Sequence, residues 1–380
     1  MPDVYGVIGW DWLRRAANAC SYIKRSTGRS DRAEAAVRPA KIRGVSIDNE
    51  AAEITFRPLE PGEGSVLSKA IRAAYGDTYD VRWVYDASEV EARLAAGTYV
   101  SWIAESGEGE LLCHEGMSLA AAGDAVGHSG QAVTMPAARG QHLFTRTKKH
   151  LMDWARERGL AGMYSEATAA HPYSQRANLE LGAHETGFLL GWIPASVAND
   201  AAGEQRPRRQ SAALFYTKLN DGHKRQVYAP ERHHKIIGQT LELCELRGTL
   251  AAPPAGVELP ERTGLHVEID EDHNLALITA HEPGADLETA VAAERHHLFH
   301  RKCLDAVYLD LPLENPATAL LADHLERLGV SYAGVFPNNR TDGDVLRMQS
   351  LHRARITPDD IAVASDHGRE LLDYVLADLA

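Results

Sequence analysis

Between Gln131 and Pro194 the chain carries two groups of residues whose types suit group-transfer chemistry. The first is an Arg139-Gly140 turn that runs through Gln141 and His142 into a periodic stretch starting at Leu143 and Phe144. A Gly-containing turn entering a helix leaves backbone N–H groups free and points the positive end of the helix dipole at one spot, which cradles phosphate. The second is the segment YSEATAAHPYSQ, which sets a carboxylate, an imidazole and a phenol close together as Glu166, His171 and Tyr173. A third constellation, AERHHLFHRKC, puts His296 and His300 four apart with Cys303 nearby. That spacing can bind zinc, but no HExxH or CxxC accompanies it and eighteen histidines make chance pairs common. It reads as a solvated face, and no metal site is expected.

The elements around these residues follow from periodicity. Leu143, Thr147, Leu151 and Trp154 recur three and four apart with basic residues between, which predicts an amphipathic helix. Gly159 suits its left-handed cap. A short apolar strand precedes the turn; a strand, a polar turn, a second helix and another strand follow. Upstream, EITFRPL and TYVSWIA read as strands and SVLSKAIRAAYG as a helix. Between them Tyr75, Tyr79, Trp83 and Tyr85 cluster in YGDTYDVRWVY, which reads as core more than pocket. GELLCHEGMSLA and SGQAVTM read as adjacent antiparallel strands, and residues 198 to 210 as a polar surface hairpin before the strand SAALFYTKL.

With Val133, Pro136, Arg139, Gly140, His142, Leu143 and Phe144 in place, the stretch resembles the core motif of the GNAT acyltransferases, roughly Val-x-Pro-x-x-Arg-Gly-x-Gly-Leu before a helix. HPYSQRANLELGA looks like the family's second motif, ending in Leu181-Gly182. The resemblance spans about residues 53 to 220, with His142 standing where the second glycine of the turn belongs. It implies an α/β (α+β) fold with a mixed, mostly antiparallel twisted sheet flanked by helices. It also implies an acyl-CoA or acetyl-CoA donor, with the pantetheine arm lying like an extra strand along a gap beside Val133 and Met135. Arg139, Gly140, Gln141, His142, Leu143 and Phe144 would hold the phosphates. The family's usual acid, a Tyr four residues before the second-motif Gly, is Asn178 here, which can still hydrogen-bond pantetheine. Acyl transfer to an amine needs a proton acceptor and a proton donor. Glu166 and His171 are the candidate acceptors and Tyr173 the candidate donor. Each also has a structural reading: a salt-bridged acid, a turn-stabilising imidazole and a packed phenol.

At 380 residues the chain suits two domains. Residues 1–45 form an arm with nine Lys/Arg against four acids, read either as a leader or as a dock for an acidic acyl carrier protein. Residues 50–220 form the acyltransferase domain. Residues 221–380 repeat its strand and helix order without an Arg-Gly turn, so the whole resembles a tandem GNAT with a degenerate second copy. The net charge of −13 argues against nucleic-acid binding, and with it against aminoacyl transfer from tRNA. Four scattered cysteines suggest a reducing cytoplasm. No apolar run reaches the roughly 18 residues of a membrane span. The expected function is N-acyl transfer from a phosphopantetheine thioester, on coenzyme A or a carrier protein, to a small-molecule amine. A setting in secondary metabolism and an oligomeric form are both compatible with the sequence. A non-catalytic acyl-CoA-binding or scaffold protein on the same fold is the alternative.

Overall fold

A computed structural model describes residues 54–79, 81–121, 124–197, 209–340, 343–352 and 356–379. The basic arm and most of the 198–210 loop lie outside the described residues. The first half runs β1 (Ile54–Pro58), α1 (Gly64–Tyr75), α2 (Ala87–Ala96), β2 (Tyr99–Ser106), β3 (Leu111–Ser118), β4 (Val126–Thr134), α3 (Leu143–Glu157), β5 (Gly162–Thr168), α4 (Tyr173–Glu180), β6 (His184–Ile193) and β7 (Gln210–Lys218). Helix α2 is absent from the sequence reading, although Asp86 caps it by accepting from the Ser88 N–H and Gly97 ends it in the left-handed conformation. Helix α3 buries Leu143, Thr147 and Leu151, as their spacing requires, and also Lys148.

The second half runs β8 (Arg225–Val227), α5 (His234–Leu243), β9 (Gly248–Leu250), β10 (Gly264–Asp270), β11 (Leu275–Glu282), α6 (Leu287–His300), β12 (Ala306–Pro312), α7 (Pro316–Leu325), β13 (Ser331–Arg340), β14 (Gly343–Leu351) and α8 (Asp366–Ala377). Strands β8 and β9 form a small parallel pair. The other twelve strands form one sheet, ordered β1-β2-β3-β4-β5-β7-β6-β13-β14-β12-β11-β10. Within it a pattern occurs twice. Strands β3, β4, β5, β7 and β6 pair antiparallel, parallel, antiparallel and antiparallel. Strands β10, β11, β12, β14 and β13 pair in the same sequence of directions. The two runs meet at β6 and β13, antiparallel, with Gly187 opposite Gly334.

Period-two alternation sorts the first half's side chains onto two faces. Tyr99, Ile103 and Val133 pack with Leu67, Ile71 and Val90 of α1 and α2. Val100, Trp102 and Met117 pack with Leu151, Met152 and Ala155 of α3. The aromatic segment falls mostly in the core: Trp83 is buried with Val84 and Tyr99, while the Tyr85 hydroxyl accepts from the Tyr79 N–H and donates to the Gly76 carbonyl. One further cluster joins the halves, with Tyr164, Leu189, Leu214 and Tyr216 from the first and Leu277, Tyr308, Phe336 and Val345 from the second.

Candidate active site

Strand β4 follows β5 for three positions only, from Val126 opposite Gly162 to His128 opposite Tyr164. Beyond that it stays with β3, where Val133 lies opposite His114 and Thr134 opposite Cys113. The departure coincides with a register shift in the β3–β4 pair and with Gln131 at φ 58°. A buried histidine fixes this bulge: His114 Nδ1 lies 2.8 Å from the Gln131 carbonyl and its Nε2 2.6 Å from Ser101 Oγ. The carbonyl requires Nδ1 to be the donor, so Nε2 accepts from the serine. Burial pushes the His114 pKa down to about 4, and the Gln131 bond opposes that shift.

The gap left by the parting strands is where a thioester arm would lie, but its backbone donors differ from those the resemblance implies. Met135 is fully engaged inside the protein: its N–H donates to the Leu112 carbonyl at 3.0 Å, and its carbonyl accepts from the Ala138 N–H at 2.9 Å. Strand alternation turns the Val133 backbone toward β3 as well, so Ala132 and Thr134 face the gap. The Ala132 carbonyl already accepts from the Tyr75 hydroxyl at 3.0 Å. The Met135 backbone groups are thus bonded within the protein, and the backbone groups directed at the gap are those of Ala132 and Thr134.

The turn at the end of the gap has the anticipated form. Gly140 has φ 81° and His142 has φ 55°, ψ 26°, the left-handed conformation that glycine adopts most easily. His142 therefore keeps the path of the backbone that its missing glycine would have given. Arg139, Gly140, Gln141 and His142 are exposed, while Leu143 is buried against Ala104, Cys113 and Ala138, with Phe144 packed beside them. The bond from the Arg146 N–H to the His142 carbonyl opens α3, so the N–H groups of Leu143, Phe144 and Thr145 precede the helical ladder.

Glu166 on β5 lies 2.6 Å, through Oε2, from Nε2 of His128 on β4. Their side chains are 14% and 9% exposed. The His128 ring also packs on Tyr164 at 4.9 Å. His128 was not singled out in the sequence; the available signal was alternation, which sets it on the same side of β4 as Glu166 occupies on β5. Neighbouring Ser129 and Ser165 point to the other face. There Ser129 Oγ donates to Glu115 at 2.6 Å, and Asn178 Oδ1 accepts from Lys148 Nζ at 2.7 Å and from Ser165 Oγ at 3.3 Å. Burial pushes the Glu115 carboxyl up and the Lys148 ammonium down, each opposed by the charge of the other. Asn178 is thus a member of a buried polar network through its carbonyl oxygen. His171 and Tyr173 touch each other, ring to ring, at 4.9 Å, and Tyr173 is 63% exposed at the first turn of α4 rather than packed.

The second half carries the same strand positions with different chemistry. Tyr164 and Glu166 of β5 correspond to Tyr308 and Asp310 of β12, and Leu214, opposite Glu166, corresponds to Arg347, opposite Asp310. Asp310 accepts two bonds of 2.7 Å from the Arg347 guanidinium, both groups buried. The turn before α6 ends in Asp286, which accepts from the Thr263 N–H, with Glu288 in the first helical turn. Carboxylates there oppose a phosphate.

No family model matches the chain, and no curated protein matches it. Among solved structures it is similar to the ribosomal-protein-S18-alanine N-acetyltransferase of Escherichia coli, with 15% identity over 45% of this chain and 97% of that one and a TM-score of 0.35. It is also similar to a GNAT-superfamily phosphinothricin acetyltransferase of Sinorhizobium meliloti in complex with AcCoA, with 16% identity over 44% and 90% and a TM-score of 0.36. A third is the spermidine N-acetyltransferase of Vibrio cholerae in complex with CoA and spermine, with 14% identity over 44% and 95% and a TM-score of 0.34. The strand order, the parallel pair that parts after three positions and the helix opening on an Arg-Gly turn give the first half a fold of the GNAT type.

Proposed function

We propose that the protein is an N-acyltransferase, taking an acyl group from a phosphopantetheine thioester and placing it on the amine of a small molecule. The observation that carries this reading is the gap where β4 leaves β5 beside the Arg139-Gly140 turn, with the Glu166–His128 pair linking the two strands that border it. The pantetheine arm adds to the gap as a strand, against the backbone of Ala132 and Thr134. Its phosphate end meets Arg139, Gly140, Gln141, His142 and the first N–H groups of α3. Coenzyme A is the donor that such a turn suits, since its backbone path is intact.

In the reaction the amine nitrogen attacks the thioester carbonyl, and a gap-facing N–H stabilises the tetrahedral oxyanion. The Glu166–His128 pair takes the proton that nitrogen loses as the C–N bond forms. The C–S bond then breaks and the thiolate takes a proton from Tyr173, whose ring rests against His171. Calorimetric titration with acetyl-CoA and with coenzyme A, followed by turnover with a panel of amines, tests this. Micromolar donor binding is expected. Glu166→Gln and His128→Gln should each lower kcat about 10²–10⁴-fold with donor affinity unchanged. Full activity in Glu166→Gln would remove the pair from the mechanism. Absence of binding and turnover with both acyl-CoA and carrier-borne acyl donors would overturn the function, and binding without turnover on any amine would leave a ligand-binding protein.

A further inference from the structure

We propose that His233, Glu326 and Asp378 form a binding site for one divalent transition-metal ion of the zinc class, in the second half of the molecule and apart from the acyl-transfer site. One donor atom from each lies within 4.8 Å of those of the other two. They come from three separate elements. His233 immediately precedes α5, Glu326 follows α7, and Asp378 ends α8. Such separations in sequence make no spacing motif, which is why these residues were not found there.

The orientation of His233 carries the inference. Its side chain is fully buried, and its Nδ1 lies 2.7 Å from the Tyr374 hydroxyl. That hydroxyl donates its own hydrogen to the Arg232 carbonyl at 3.2 Å. Nδ1 is therefore the donor to Tyr374, and the ring's lone pair falls on Nε2. Nε2 faces Glu326 Oε1 at 3.3 Å, and neither atom has a hydrogen-bond partner among the described residues. Two buried acceptors that face each other call for a positive charge between them. Two ligands at about 2.0–2.1 Å from a tetrahedral ion are about 3.3–3.4 Å apart, which is the spacing found.

The surroundings fit the same charge. Arg232 bonds the outer oxygens, Glu326 Oε2 and Asp378 Oδ1, and leaves Glu326 Oε1 toward the histidine. Asp378 Oδ2 accepts from the Tyr332 N–H at 2.6 Å and retains lone-pair capacity. Asp323 adds negative charge beside Glu326, so the charges that act on Glu326 among the described residues include two acids, Asp378 and Asp323, against the guanidinium of Arg232. Asp378 also sits at the negative end of α8, which favours a cation. The Nδ1–Tyr374 bond is the kind of outer contact that sets the tautomer of a metal-binding imidazole.

The test is zinc binding by the untagged full chain, measured by calorimetry and by metal content after gel filtration, with manganese as a second arm. One zinc per chain is expected, with affinity lowered at least tenfold by His233→Gln and by Asp378→Asn, and unchanged by His296→Ala with His300→Ala. Melting temperature with and without zinc gives a second readout: a rise is expected in the parent chain and none in His233→Gln. The Asp378→Asn variant, which is nearly isosteric, keeps the test valid if the histidine variant fails to fold. Zinc binding that survives both substitutions, or that disappears with His296 and His300, would overturn the proposal. So would an absence of binding of either ion, and the gap between Nε2 and Oε1 would then hold a proton.

Discussion

Glu166 faces Leu214 across the β5–β7 pair, whereas Asp310 faces Arg347 across the β12–β14 pair. Glu166 has Leu214 opposite it and pairs with His128, with the Arg347 charge acting on it from farther away; Asp310 is held by two charge-assisted bonds and its oxygens are engaged. The Arg347 guanidinium also rests on the Phe336 ring at 4.0 Å. Removing one partner of so buried a pair leaves the other charge uncompensated, so Arg347→Leu should cost about 3–5 kcal/mol in denaturant unfolding. Adding Asp310→Leu should recover most of that loss, because no buried carboxylate would then be left without its guanidinium. Equal losses in the single and double variants would mean the two charges are not coupled. His142 tests residue-level strain in the other half. An L-residue in the left-handed region costs roughly 1 kcal/mol, so His142→Gly should stabilise the fold by about that amount in the same assay.

The parting of β4 from β5 depends on one buried ring. His114 must stay neutral to donate to Gln131 and accept from Ser101, and its pKa of about 4 in the folded protein lies below the unfolded value near 6.5. An unfolded chain therefore binds the extra proton first as the solution is acidified. The contribution of His114 is fully present above pH 6.5 and is lost progressively as pH falls toward 4. The loss is on the order of 3 kcal/mol, the free-energy equivalent of the shift. Unfolding titrations across that window should steepen for the parent chain and flatten for His114→Gln; parallel curves would place the ring's proton elsewhere.

At the same scale, the sequence revealed the strands and helices whose period was unbroken, such as α3 through Leu143, Thr147 and Leu151. It also revealed the turn, because Arg139-Gly140 is a local signal. It did not reveal which residues of β4 face the gap, since a bulge at Gln131 reverses the direction of the alternating backbone groups and nothing in the residue types marks it. His128 and Asn178 were obscured for a related reason. Their roles come from partners on other elements, Glu166 for one and Lys148 for the other.

Across the whole molecule the repeated strand pattern becomes a single sheet through a contact that is narrow and demanding. A Cβ on Gly187 would run into the Ala333 carbonyl, and one on Gly334 into the Thr186 carbonyl, so each half offers a glycine to the other at the seam. In the sequence these are two glycines among thirty-one, and only the fold gives them a partner. If the boundary between the halves is set after Asn220, as we propose, the first half alone would expose a large apolar surface. Phe188, Leu190 and Phe215 share a buried cluster with Ile237, Leu309, Val335 and Leu346 of the second half. Bonds from the buried Gln349 amide to the Phe188 carbonyl and from the Tyr308 hydroxyl to the Leu190 carbonyl would be lost as well. Patches of that size drive association, so residues 54–220 expressed alone should aggregate or bind hydrophobic dyes, with no cooperative melt. Gly187→Val in the full chain should weaken the same seam and lower the melting temperature. A monomeric, cooperatively melting 54–220 fragment that still binds acyl-CoA would mean instead that the second half is an attachment to an independent enzyme, with no part in building it.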